Sequence, residues 1–303
     1  MNVKMKSLSI SRQEELTGYL FMIPYFIGFL IFQGLPFLVT VLTSFTNMRY
    51  PTRNLSRIKF VGFENYITVL KDNDFLMALG RSAFFSVIYV ILIMSFSLVL
   101  AYFLNGKIYA SNFTRTLYFL PYISNIVAIS VVWLLLLDYK EGPVNMLIKA
   151  FGVANPPEWL VGNVEMVIPT IVVIAVWYGL GLNLVTYIAA LQDVPKSLYE
   201  SAEIDGANEI QKFFSITVPW VSPTTFFLLI TSIISSMQNF AIIMSLTQGG
   251  PGSESKVLSI YTYQQAFDYN KMQIGATQSV FMLIILAVVA TIQWRGQRKW
   301  VHY

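Results

Sequence analysis

Cysteine is absent from the 303 residues, and histidine occurs once, at His302. These two gaps exclude disulfides, thiol catalysis, cysteine-ligated metal sites, a lipid-anchored cysteine on this chain and a buried histidine-centred triad. Charge is also scarce. Only 12% of residues are charged, against about a quarter in an ordinary soluble domain. The net charge of +4 comes from 20 basic and 16 acidic residues. It is spread along the chain without a dense basic block, so nothing points to nucleic acid as a partner. No GxxxxGK[ST] sequence occurs, and no nucleotide site of that type is expected. Gly249-Gly250-Pro251-Gly252 is an isolated cluster and reads as a turn.

What the chain has in excess is apolar surface, at 55% of its residues. A soluble fold of this length has no core large enough to hide it, so lipid must be part of the solvent. A lipid-crossing helix needs about 20 mostly apolar residues. Six segments qualify, at 16–45, 82–104, 116–137, 166–190, 219–246 and 274–294. Their apolar runs are continuous, whereas strands of a membrane barrel alternate. Backbone polar groups inside lipid must bond within their own segment, which requires helices. The expectation is an all-α integral membrane protein with six transmembrane helices. It divides into a tail over 1–15, a first span and outer loop over 16–76, a main transmembrane domain over 77–295 and a tail over 296–303.

The first apolar run is too long for a signal peptide and lacks a small-residue cleavage site, so it reads as a retained span. Pro24 and Pro36 lie in the first span, Pro121 in the third and Pro223 in the fifth. Each removes a helical hydrogen bond; the outcome is either a kink that opens a cavity or plain helix bending. Basic residues divide evenly between the two sides. Lys4, Lys6 and Lys107 fall on one side and Arg49, Arg53, Arg57 and Lys59 on the other, so charge alone sets no orientation.

The longest connection on the side of the termini is 191–218, and it is acidic, with Asp193, Glu200, Glu203, Asp205 and Glu209. Ser197-x-x-Glu200 fits a capping box, with Pro195 in a first helical turn as the alternative. Helix continues to Ile204. Asp205-Gly206 then supplies a turn in which Gly takes a positive φ. Asn208-x-x-Gln211 reads as a second cap. On residues alone this is a helix-turn-helix at the membrane surface, or an amphipathic interfacial segment.

The same stretch resembles the EAA loop of permease subunits in bacterial ABC importers. Glu200, Ser201, Ala202, Gly206, Ile216, Val218 and Pro219 stand in that register, with Ser201 in place of Ala and Val218 in place of Leu. Arg115 to Asn145, Trp177 to Leu191 and Leu246 to Gly252 extend the likeness, which covers most of the chain beyond about residue 80. It is nearest to the sugar-type branch that serves oligosaccharides and glycerol-phosphate-type solutes. The resemblance implies a type I importer fold, with both termini cytoplasmic in the inner membrane of a bacterium. It implies a second homologous permease, an ATPase dimer that binds ATP and magnesium, and an extracytoplasmic binding protein. It implies that Glu200, Ser201, Ala202, Asp205, Gly206, Ile216 and Pro219 couple the ATPase to the gate.

No Asp, Glu, Lys or Arg falls in the core of a predicted span, apart from border positions such as Arg81 and Glu165. That disfavours a proton-coupled carrier, a membrane-embedded enzyme and an anionic cargo. Neutral polar groups are present instead. Trp177, Tyr178, Gly179 and Asn183 fall in the fourth span, and Thr231, Ser232, Ser235, Gln238 and Asn239 in the fifth. Aromatic faces with amides and hydroxyls suit a saccharide. Small and hydroxylated residues also pack membrane helices, so single Ser and Thr residues read first as packing. A buried amide needs a partner, so Asn183 and Gln238 read as lining the pathway.

Overall fold

The computed structural model describes residues 10–49, 57–105 and 111–301. His302, the first nine residues, Arg53 and Lys107 lie outside the described residues. Among those described, the regular structure is helical, apart from one isolated bridge between Thr46 and Phe60.

The first span is one long helix, α1 (Ile10–Phe29) running through a π-helical turn over Leu30–Gly34 into α2 (Leu35–Ser44). Pro24 leaves it unbroken. Pro36 follows the π turn, where Leu35 N–H donates five residues back to Leu30 O and absorbs the register change. Then come α3 (Glu64–Leu70) and α4 (Asn73–Asn105), which carries the second span and starts well before the apolar run.

The third apolar segment is not one continuous helix. It is two helices, α5 (Ser111–Ile123) and α6 (Ile126–Leu136), meeting at 100°. Pro121 sits quietly inside α5; the break is made by Asn125. Its side chain accepts from Val127 N at 2.9 Å and Ala128 N at 3.3 Å, so it caps a new helix rather than continuing the old one. After α7 (Pro143–Ala150), the fourth span is the unbroken α8 (Val164–Gln192).

The loop that follows holds α9 (Lys196–Ile204) and α10 (Glu209–Lys212), then a π turn over Phe213–Thr217 and α11 (Val218–Trp220). The fifth segment also departs from expectation. The Glu209–Trp220 stretch and α12 (Ser222–Met237) are bent by 69°, and α12 stops at Gln238 before α13 (Ala241–Leu246). Pro223 does not kink α12; it lies in the first turn, where its missing N–H costs nothing. The chain ends with α14 (Leu258–Tyr263) and α15 (Met272–Gly296), which holds the sixth span.

Residues group into two compact units, one of 1–69 with 265–282 and the other of 70–264 with 283–303. In the first unit, Asn65 Nδ2 donates to Ser44 O and Thr46 O, and Tyr66 Oη lies 2.7 Å from Ser44 Oγ. Phe45, Phe60, Phe63, Tyr66 and Phe281 stack around this joint. In the second unit α8 is the central post. It packs on α4, α5, α12 and α13, and Leu184 and Tyr187 are wholly buried. Tyr187 Oη donates to Thr225 Oγ1 at 3.2 Å, tying α8 to α12, and Ser86 and Ser236 share a 2.6 Å hydrogen bond between α4 and α12. Close approach depends on missing side chains. A Cβ on Gly181 would stand 2.7 Å from Tyr118 O and 2.8 Å from Phe119 Cα on α5.

Candidate functional site

Two places in the second unit carry the sequence-predicted residues. The first is the loop after α8. Pro195, not Ser197, is the N-cap of α9, and no side chain caps it; the capping box expected at Ser197-x-x-Glu200 does not form. The C-terminal end follows expectation closely. Asp205 ends the helix and Gly206 takes φ +78°. Ala207 N donates to Ala202 O at 2.8 Å and Gly206 N to Glu203 O at 3.1 Å, the pair of bonds that closes a helix through a left-handed residue. Asn208 and Gln211 then form a reciprocal capping box, at 2.8 and 2.9 Å.

The two short helices are locked together by one cation. Lys212 is buried and its Nζ bonds Glu203 of α9 at 2.9 Å and also Glu209. These groups precede the apolar part of the fifth span. The bond from Lys212, and after it the one from Tyr102, holds the Glu209 carboxyl below its ordinary pKa. Its bonds to Glu209 and Glu203 hold Lys212 above its own. Tyr199 Oη and Thr217 Oγ1, 2.8 Å apart, fix α9 to the start of the fifth segment. Ile216 and Pro219 are half-buried along that start, where Tyr102 stacks edge-on against Phe213.

Glu200, Ser201 and Asp205 face outward, and among the described residues Glu200 makes no ion pair. Ile204 is 87% exposed, with Ile210 and Phe214 also bare. The loop therefore shows apolar side chains and a carboxylate without an ion pair on its surface.

The second place is a cavity of about 210 Å³ among α4, α5, α6, α8, α12 and α13. Of the predicted pathway residues it brings together Tyr178, Gly179, Asn183, Thr231, Ser232, Ser235 and Asn239. It leaves out two. Trp177 packs edge-on against Trp133 on another face of α8, one residue's rotation away from Tyr178. Gln238 ends α12 and turns outward, because the helix stops there instead of running on.

Three polar residues join the lining that the span-centred reading passes over: Tyr89, Tyr122 and Ser236. Tyr122 beside Pro121 and Tyr89 in the apolar run of α4 are the available signals. None of the lining side chains is acidic or basic. Tyr122 and Tyr178 stand 6.1 Å apart, and Tyr178 Oη reaches Ser124 O, at the break between α5 and α6, at 3.5 Å. Asn183 is 6% exposed; its Nδ2 donates to Gly179 O at 3.3 Å, while its Oδ1 has no partner. An unpaired buried acceptor is costly unless something that visits the cavity donates to it.

Residues 97–299 match the family described as binding-protein-dependent transport system inner membrane component. The chain is similar to the permease protein AraP of an arabinooligosaccharides transport system from Bacillus subtilis (strain 168), at 32% identity over 92% of this chain and 88% of that one. It is similar to the permease protein UgpA of an sn-glycerol-3-phosphate transport system from Agrobacterium fabrum, at 32% identity over 80% and 83%. Its fold resembles a chain in the crystal structure of a bacterial alginate ABC transporter in complex with an alginate-pentasaccharide-bound periplasmic protein. That match has a TM-score of 0.83 and 22% identity, over 97% of this chain and 98% of that one.

Proposed function

Because this chain belongs to the family of inner membrane components of binding-protein-dependent transport systems, we propose that it is the permease subunit that passes a neutral oligosaccharide inward. One observation carries the cargo: a cavity walled by tyrosine rings, hydroxyls and amides, with no charged side chain. Rings stack on the apolar faces of a sugar, and the polar groups meet its hydroxyls. The transport permease role itself follows from the family. ATP and magnesium are bound by a partner ATPase dimer, a second homologous permease completes the channel, and an extracytoplasmic binding protein delivers the cargo.

Coupling falls to the hairpin of α9 and α10. An ATPase that opens and closes needs a stiff element to move the gate, since a floppy loop would absorb the stroke. The left-handed turn at Gly206, the Asn208 capping box and the Lys212 clamp supply that stiffness. With the hairpin in the cytoplasm, both termini are cytoplasmic as well.

The relationship to a glycerol-phosphate permease favours a second cargo reading, a small anionic polyol. A cavity without a cation argues against it. The deciding experiment is uptake by proteoliposomes holding the whole complex, purified through a tag on this chain, with labelled arabinotriose and labelled glycerol 3-phosphate offered separately. Uptake of the phosphate ester alone overturns the carbohydrate reading. In the same assay Gly206→Val, which forces a β-branched residue to a positive φ, is expected to leave ATP hydrolysis running while uptake falls about tenfold or more. Normal coupled transport by that variant removes the hairpin from the mechanism.

A further inference from the structure

Two glycines of α8, two residues apart, do different work. The absent Cβ of Gly181 makes room for backbone of α5, whereas that of Gly179 makes room for two side-chain tips. A Cβ on Gly179 would stand 2.6 Å from Tyr89 Oη and 3.0 Å from Ile93 Cδ1. Tyr89 is 9% exposed and its ring stacks on Phe85, with 6.0 Å between centroids and 9° between planes. A methyl at position 179 would press on the Tyr89 hydroxyl and on Ile93, and the hydroxyl, at the closer distance, must shift. Gly179 also supplies the carbonyl that anchors Asn183 Nδ2 and leaves Asn183 Oδ1 without a partner. Tyr89, Gly179 and Asn183 all line the one cavity.

We propose that Gly179 is a specificity-determining position that works by absence: it seats the Tyr89 hydroxyl in the wall of the cavity that Asn183 also lines, and together the two side chains gauge the width and hydroxyl pattern of the passing solute. This rests on the cavity being the pathway, as set out above. Tyr89 contacts cargo; Gly179 positions Tyr89. A Cβ at 179 narrows the passage by displacing the hydroxyl, so removing that hydroxyl should restore the room.

The test is a double-mutant cycle in proteoliposomes with the complete complex. The parent, Gly179→Ala, Tyr89→Phe and Gly179→Ala/Tyr89→Phe are compared for initial uptake rates against solute concentration, with ATP hydrolysis recorded in parallel. The probe is labelled arabinotriose, or labelled glycerol 3-phosphate should the parent carry only that. The cargo reading is thus decided on the parent alone, and the gauge on the ratios of variants to parent. Gly179→Ala is expected to lower uptake about tenfold, Tyr89→Phe roughly threefold, and the double variant no further than Tyr89→Phe by itself, on the scale of one lost hydrogen bond to cargo. Size-exclusion elution of each complex separates transport loss from failure to assemble. The proposal is overturned if the double variant shows the product of the two single losses, if Gly179→Ala transports like the parent, or if Gly179→Ala fails to assemble and Tyr89→Phe does not rescue assembly.

Discussion

The first and fourth spans are about equally apolar, yet the chain uses them in opposite ways. In the most apolar stretch of the first span 6% of residues are buried within the chain; in that of α8 the share is 67%. Hydropathy therefore says that a helix enters lipid and nothing about what it touches there. Contact is decided by small and polar residues at particular depths. Gly179, Gly181 and Asn183 lie in α8 where neighbours come close, whereas Gly18 and Gly28 of the first span have nothing within 4 Å of an added Cβ. In a solvent as apolar as the side chains, packing and hydrogen bonds must bring helices together.

The sharpest way to break this contrast is a matched pair of alanines. At Gly181 the new Cβ meets backbone, which cannot turn away. Gly181→Ala should cost about 3 kcal/mol and reduce the amount of complex that elutes as a single species after detergent extraction. Gly28→Ala should elute like the parent. Equal behaviour of the two would mean that the burial of α8 is incidental.

A second pair tests chemistry rather than space. Asn183→Leu removes the buried unpartnered acceptor and is expected to lower saccharide uptake about tenfold at unchanged basal ATP hydrolysis. Gln33→Leu removes an exposed amide from the first span and should leave uptake within about twofold of the parent, since no described cavity involves that residue. The smallest effect belongs to single hydroxyls. Ser86→Ala breaks the bond between α4 and α12 and should cost about 0.6 kcal/mol, the mean for such bonds in membranes, read as a small drop in the midpoint of thermal unfolding. Thr40→Ala, whose hydroxyl only bonds Pro36 O within its own helix, should leave that midpoint in place.

The contrast also explains what the sequence makes legible. Existence of the helices is visible because long apolar runs admit no other backbone in lipid. The hairpin of α9 and α10 is visible because its signals are local: Gly206 after Asp205, and Asn208 three residues before Gln211. The breaks in the third and fifth segments are hidden for the opposite reason. Averaging over an apolar window hides a single capping side chain, and Asn125 does more to end α5 than Pro121. Pro223 misleads likewise, because the cost of a proline depends on whether it opens a helix or interrupts one. Within the cavity, Asn183 and Tyr178 are legible as polar groups at mid-span. The exclusion of Trp177 and Gln238 is not, because it depends on the rotation of α8 about its axis and on where α12 stops, and both are set by tertiary packing.

The break at Asn125 has an energetic consequence for the cell. Two helix ends within an apolar segment leave backbone groups that hydrocarbon cannot solvate; Asn125 answers two of the amides, Tyr178 reaches one carbonyl, and Ser124 N donates to Pro121 O. Water admitted to such a break would be a shunt for protons and ions, and each charge that slipped through would dissipate about 2.3 kcal/mol for every 100 mV of membrane voltage. A membrane chain with such a break therefore has to keep it sealed from water on one side, so that for this protein insulation is itself part of the task.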